Sequence, residues 1–338
     1  MKPFPGLPFF SLLLCAALAA MPVEAQQKPK AISEKQADEL LGSVVRVRTR
    51  ALADARSNAS LGATREGSGV IIDERGYILT IGYLVIEADT IEVTTAEGKS
   101  SPATLAGYDH ATGFGLLRAV LPLGAKPIEL GTSTELGLRE QVMVAPYGGR
   151  DSLNLAYVLS KRQFAGSWEY MLDSAIFISP PTLAWAGSAL ISREGKLVGI
   201  GSLLVRDAEE AGTPLPGNMF VPIDLLKPIL ADLIDKGRVA APPRPWLGMA
   251  TEELQGRLFV SRVSPQAPAD RAGITRGDII VGVGGNPVTT HAELYRKLWS
   301  LGPAGTDVPL KVLQGINVKD ITVRSIDRTE YFQTKPGL

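Results

Sequence analysis

From Val44 onward, apolar and polar residues alternate. Val45, Val47 and Thr49 interleave with Arg46, Arg48 and Arg50, the period of two that marks a strand with one wet face. Just before it, Ser33-Glu34-Lys35-Gln36 has capping-box spacing, and Ile32, Ala37, Leu40 and Leu41 supply a helical stripe, predicting a helix over 33–42. Ala51 to Arg65 is small and polar and reads as an exposed loop. Short apolar runs then recur between turn residues: 69–72, 77–79, 90–94, 116–120, 141–145, 155–159, 174–178 and 196–205. That cadence predicts a mainly β fold of one or two barrels and excludes an alternating βαβ sheet.

The pattern changes after a polar Pro/Gly loop at 206–218. Phe220 to Lys236 reads as an amphipathic helix stopped by Gly237. Residues 240–245, AAPPRP, are proline-rich and read as a linker. Beyond it, 246–328 has mixed character, with a second capping box at Thr290-His291-Ala292-Glu293 opening a helix to about Ser300, and 329–338 is left as a tail.

Composition narrows the partners. Basic and acidic residues balance at 35 each, which gives no nucleic-acid footprint and no anionic-membrane anchor. Residues 1–25 have the layout of a signal peptide: Lys2, an apolar stretch from Phe9 to Ala20, and Val23-Glu24-Ala25 at the cleavage position. That stretch is too short for a span of about 20 residues, and no later segment qualifies, so the expectation is an exported, periplasmic chain with no integral membrane segment. The single cysteine, Cys15, would leave with the leader, removing disulfides and thiolate chemistry. Only two histidines exist, His110 and His291, in different regions, so no metal site and no cofactor are expected.

Several collinear strings carry a resemblance. GSGVIIDERGYILT (67–80), EADTIEVTTAEGK (87–99), GYDHATGFGLLRA (107–119), REGKLVGIGS (193–202) and FVPIDLLKPILADLIDKGRV (220–239) are similar to the HtrA/DegP family of exported trypsin-like proteases. WLGM (246–249) and VSPQAPADRAGITRGDIIVGVGGNPV (263–288) resemble that family's PDZ domain. The resemblance implies a trypsin-like double β-barrel over 43–239, preceded by a helical segment at 26–42 and followed by a smaller α+β PDZ domain. It also implies homo-oligomers, often trimers, and a setting in protein quality control.

Carried over position by position, the resemblance puts Tyr83 of TIGYLV where the general base belongs, Gly113 where the orienting aspartate belongs, and Ala186 of AWAGSA at the nucleophile. A methyl group can neither attack a carbonyl nor be activated by a base. The vestigial oxyanion region is Ala184, Trp185 and Gly187, with Trp185 replacing a small polar residue. The expectation is a non-cleaving pseudoprotease. The alternative is an active endopeptidase with a relocated set, for which Ser188 is the nearest hydroxyl and His110 the only histidine of the barrel region. His110 otherwise reads as an exposed turn residue, Ser188 as a strand-packed one and Tyr83 as a packing aromatic.

In the PDZ region, Leu247, Gly248 and Met249 fit the tight apolar-Gly-apolar loop whose successive N–H groups cradle a C-terminal carboxylate. Leu294, Tyr295 and Leu298 are candidates for the opposite wall, His291 for an exposed first-turn residue, and Arg271, Arg276 and Asp278 for solvated charges. The partners implied are polypeptides or protein C-termini, with assembly as a homo-oligomer or with an active relative.

Overall fold

The computed structural model describes Met1 and residues Glu34 to Gln333; residues 2–25 of the expected leader, residues 26–33 and residues 334–338 lie outside them. Two closed six-stranded antiparallel barrels follow the helix α1 (Glu34–Gly42). The first contains β1 (Val44–Ala51), β2 (Thr64–Ile71), β3 (Tyr77–Ile81), β4 (Ala88–Thr94), β5 (Ser100–Tyr108) and β6 (Phe114–Ala119), in the order β1-β2-β3-β6-β5-β4. The second contains β7 (Gln141–Ala145), β8 (Asn154–Gly166), β9 (Tyr170–Ser179), β10 (Ala189–Ile191), β11 (Leu197–Val205) and β12 (Gly217–Pro222), in the order β10-β11-β12-β9-β8-β7. Closure leaves no free strand edge in either barrel. Each apolar run singled out in the barrels overlaps a strand, because inward residues such as Val47, Leu79, Phe114 and Phe177 are fully buried.

The C-terminal sheet contains β13 (Met249–Leu254), β14 (Arg257–Val263), β15 (Ile279–Val283), β16 (Asn286–Pro287), β17 (Asp307–Gln314) and β18 (Asn317–Arg324). Its main path runs β13-β14-β15-β17-β18, so β13 is an edge strand. A helix over His291–Ser300 packs on it, and Thr290 caps that helix by accepting from the Glu293 amide, as the capping box predicts.

Several expectations need correction. The run from Phe220 is not one helix. Phe220 and Val221 lie in β12, fully buried between β9 and β11, and a 3-10 turn at Ile223–Leu225 follows. The α-helix covers only Leu230–Lys236, because prolines at 222 and 228 deny the helical ladder two donors. Nor is 51–65 simply exposed. A short helix occupies Asn58–Leu61, and Arg65 is buried, donating to Ser57 Oγ at 2.7 Å and to Ile86 O at 2.6 Å. Asp278 is no solvated charge either; it is buried and accepts from Thr275 N at 2.8 Å and Gln314 Nε2 at 2.7 Å. Of the tail, Tyr331 is buried against Trp246, and Gln333 N donates to Glu87 Oε1 at 3.0 Å, so the chain returns to the first barrel.

Candidate functional site

The three triad-aligned residues lie around one end of a cleft of about 760 Å³ that reaches from the barrels to the PDZ loop. Tyr83 sits in the 3-10 turn Gly82–Leu84 directly after β3, and its phenol donates to Ser202 O on β11 at 2.8 Å. Burial raises the phenol's pKa, opposed by a hydrogen bond from the Trp185 side chain, so at neutral pH the group is a neutral donor and not a base. It ties the two barrels together.

Gly113, at φ +82°, precedes β6 and offers no side chain. A Cβ there would meet Tyr170 Oη at 3.3 Å, and that hydroxyl already donates to Thr112 O at 2.7 Å. Gly113 is therefore walled by Tyr170.

Ala186 is half-buried, and its carbonyl accepts from Ser68 N at 2.8 Å. The neighbouring amides are committed: Ala184 N donates to Thr182 Oγ1 at 3.2 Å and Gly187 N to Gly201 O at 2.9 Å. Thr182 is itself held by the buried Asn218, which accepts from Thr182 N at 2.7 Å. Ser188 is fully buried, and its hydroxyl donates to Trp185 O at 2.9 Å.

His110 is not an exposed turn residue. It packs edge-on against Tyr108 at 4.3 Å and stacks on Phe332 at 5.9 Å, with Nδ1 shut off from solvent and unpartnered. Burial first, and the Arg328 charge second, push its imidazole well below its ordinary value. His110 is thus neutral, and its surroundings are the Tyr108 ring, Arg328 and the returning tail. Among the described residues no group of three or more His, Cys, Asp or Glu side chains could hold a metal ion.

Gly248 and Met249 line the same cleft and, with Leu247, form the loop that follows the linker, with Gly248 at φ +82°. A Cβ there would come within 2.3 Å of Ala267 Cβ, so only glycine fits without a shift. The three amides converge on one carboxylate, and it belongs to the same chain: Glu169, at the tip of the β8–β9 hairpin. Leu247 N donates to Glu169 Oε2 at 2.9 Å, Gly248 N to Oε1 at 2.7 Å and Met249 N to Oε1 at 3.0 Å. Burial raises the carboxyl's pKa, while the three N–H groups and Arg328 favour the anion.

The proposed groove wall also needs correction. Leu294 and Leu298 are buried in the PDZ core, while the Tyr295 hydroxyl donates to Gly166 O at 2.6 Å and accepts from Glu169 N at 3.0 Å. His291, expected at the surface, is buried, with Nε2 2.9 Å from Thr251 O and Nδ1 3.1 Å from Glu253 Oε1. Glu169 was not anticipated. The only local signal is Gly166-Ser-Trp-Glu-Tyr170, a hairpin whose turn carries a charged residue.

Comparison with known proteins agrees with this architecture. Residues 67–200 match the trypsin-like peptidase domain and 245–324 the PDZ domain. A probable periplasmic serine endoprotease DegP-like of Hahella chejuensis is 28% identical over 280 residues, covering 77% of this chain and 57% of that protein. A similar relative in Ectopseudomonas mendocina is covered over 51% of its length, so the chain spans little more than half of these proteins. The serine endoprotease DegS of Escherichia coli K12 is 28% identical over 297 residues, 80% of this chain and 79% of DegS. Among solved structures, the HtrA-type protease AlgW with decapeptide superposes with a TM-score of 0.52 at 18% identity, covering 89% of this chain and 99% of AlgW. The serine endoprotease from Yersinia pestis gives 0.50 at 24% identity, covering 87% and 98%; both likenesses speak to the fold alone. The chain is a homologue of the HtrA proteins DegP and DegS, with a trypsin-like peptidase domain followed by a PDZ domain.

Proposed function

We propose that this HtrA homologue is an exported, periplasmic protein that grips polypeptides without cleaving them. The observation that carries this reading is the joint identity of Tyr83, Gly113 and Ala186 at the base, acid and nucleophile positions. Losing a serine triad costs on the order of 10⁶-fold in turnover, and the committed Ala184 amide argues against a residual oxyanion hole. Ser188 does not replace Ala186, because its buried hydroxyl is held by Trp185 O and no substrate carbonyl reaches it.

Binding falls to the PDZ domain, whose loop has the geometry to hold a C-terminal carboxylate. The physical role is then that of a chaperone, a scaffold or a regulator, assembled either as a homo-oligomer, a trimer by resemblance, or together with an active relative. In the test, purified wild type, Ala186→Ser and Ser188→Ala are each incubated with casein. No hydrolysis is expected from any of them, because Ala186→Ser restores an oxygen with neither base nor acid. Turnover by the wild type that disappears in Ser188→Ala would overturn the reading. A holdase suppresses aggregation of a denatured client unaided; a regulator acts only when an active relative is added.

A further inference from the structure

The carboxylate loop is already satisfied, and three features show how closely the hairpin tip imitates a ligand. Both Glu169 oxygens take the three successive amides of Leu247–Met249, as a chain terminus would. Beside it the backbone runs along the outer edge of β13, where Ser167 O accepts from Thr251 N at 3.0 Å, a rung of strand addition. Glu169 also stands at φ +56°, in the left-handed region that glycine and asparagine enter most readily in such three-residue hairpins. A side chain kept in that conformation, with its carboxylate fully used, indicates a contact selected for the carboxylate and not for ease of turning.

We infer that Glu169 is a built-in competitor for the PDZ site: the hairpin tip occupies both the carboxylate loop and the β13 edge, and an outside chain binds only by displacing it. The inference rests on the PDZ domain being the polypeptide-binding part of the proposed function. The external ligand is a polypeptide with a free C-terminal carboxylate and an apolar last side chain, since Leu247 and Met249 flank the loop. Internal segments and amidated ends lack the second oxygen needed to replace both Glu169 oxygens. Because the competitor is tethered, the open site is a minor population, and the apparent affinity for an outside peptide falls by that fraction.

The test uses the full chain on an array of decapeptides tethered by their N-termini, carrying each of the twenty residues at the last position, as free acids and as amides. Glu169→Ala and Glu169→Gly are expected to bind at least one free-acid series tenfold or more tighter than wild type, with no gain on amides. Tyr295→Phe, which removes the hydroxyl bonds to the hairpin and keeps the carboxylate, should lie between. Should Glu169→Ala not fold, Glu169→Gly carries the test, since glycine relieves the left-handed backbone. Equal binding by wild type and both Glu169 variants overturns the competitor and leaves the PDZ reading intact. Absence of binding in every variant overturns both. A gain that extends to amides overturns the carboxylate assignment.

Discussion

At the residue scale, the barrel end of the cleft is built from groups unsuited to acyl chemistry. Tyr83 is a half-buried donor, Gly113 is a bare backbone beside Tyr170, and Ala186 offers a methyl to the cleft. His110, the barrel region's one histidine, works for stability. Its imidazole is depressed by burial and by Arg328, and the other titratable group against it is the Tyr108 phenol, which burial pushes up to about 12. The unfolded chain takes up a proton as the pH falls through 6.5, whereas the folded chain resists until lower pH. This residue's share of stability is therefore fully present above that value and is lost below it. His110→Phe should flatten the decline of Tm between about pH 7 and pH 5; an equal decline in wild type and variant would contradict this. These roles were half legible. The identities of Tyr83, Gly113 and Ala186 are read from the sequence alone, whereas the burial of His110 depends on Phe332 and Arg328, more than two hundred positions away.

At the scale of elements, alternation locates β1, which has one wet face, whereas β3, β6 and β11, buried on both faces along most of their length, are legible as short apolar runs between turn residues. The apolar residues of β12 run straight into the helical spacing that follows them, so the sequence reads them as the start of a helix. The PDZ loop was legible because Leu247-Gly248-Met249 demands a left-handed glycine at its centre. That demand is measurable. Gly248→Ala must push Ala267 aside and hold a Cβ at positive φ, and should cost roughly 1–3 kcal/mol in urea unfolding; a neutral substitution would show that the loop is not held as described. The occupant of the loop was not legible. Nothing in Gly166 to Tyr170 names its partner, because the contact depends on how β8 and β9 project toward the PDZ sheet.

At the scale of the whole molecule, the barrels and the PDZ domain are joined by side chains distant in sequence, not by the proline-rich segment alone. Met171 packs into the PDZ core, and Arg56 Nη1 donates to Tyr331 O at 2.7 Å while lying over the Tyr331 ring at 4.3 Å. Tyr331 in turn packs on Trp246, 4.9 Å away. Tyr331→Ala should remove roughly 2–4 kcal/mol by opening this buried aromatic cluster. Differential scanning calorimetry should show the loss as a lower Tm; an unchanged Tm would mean the returning tail bears no load.

The loss of nucleophilic chemistry is tested most directly by the intact mass of the full-length wild-type protein after exposure to a fluorophosphonate that phosphonylates activated serines. The expected spectrum contains only the unmodified mass, before and after incubation. A stoichiometric adduct, wherever peptide mapping places it in the barrels, would contradict the proposed non-cleaving function.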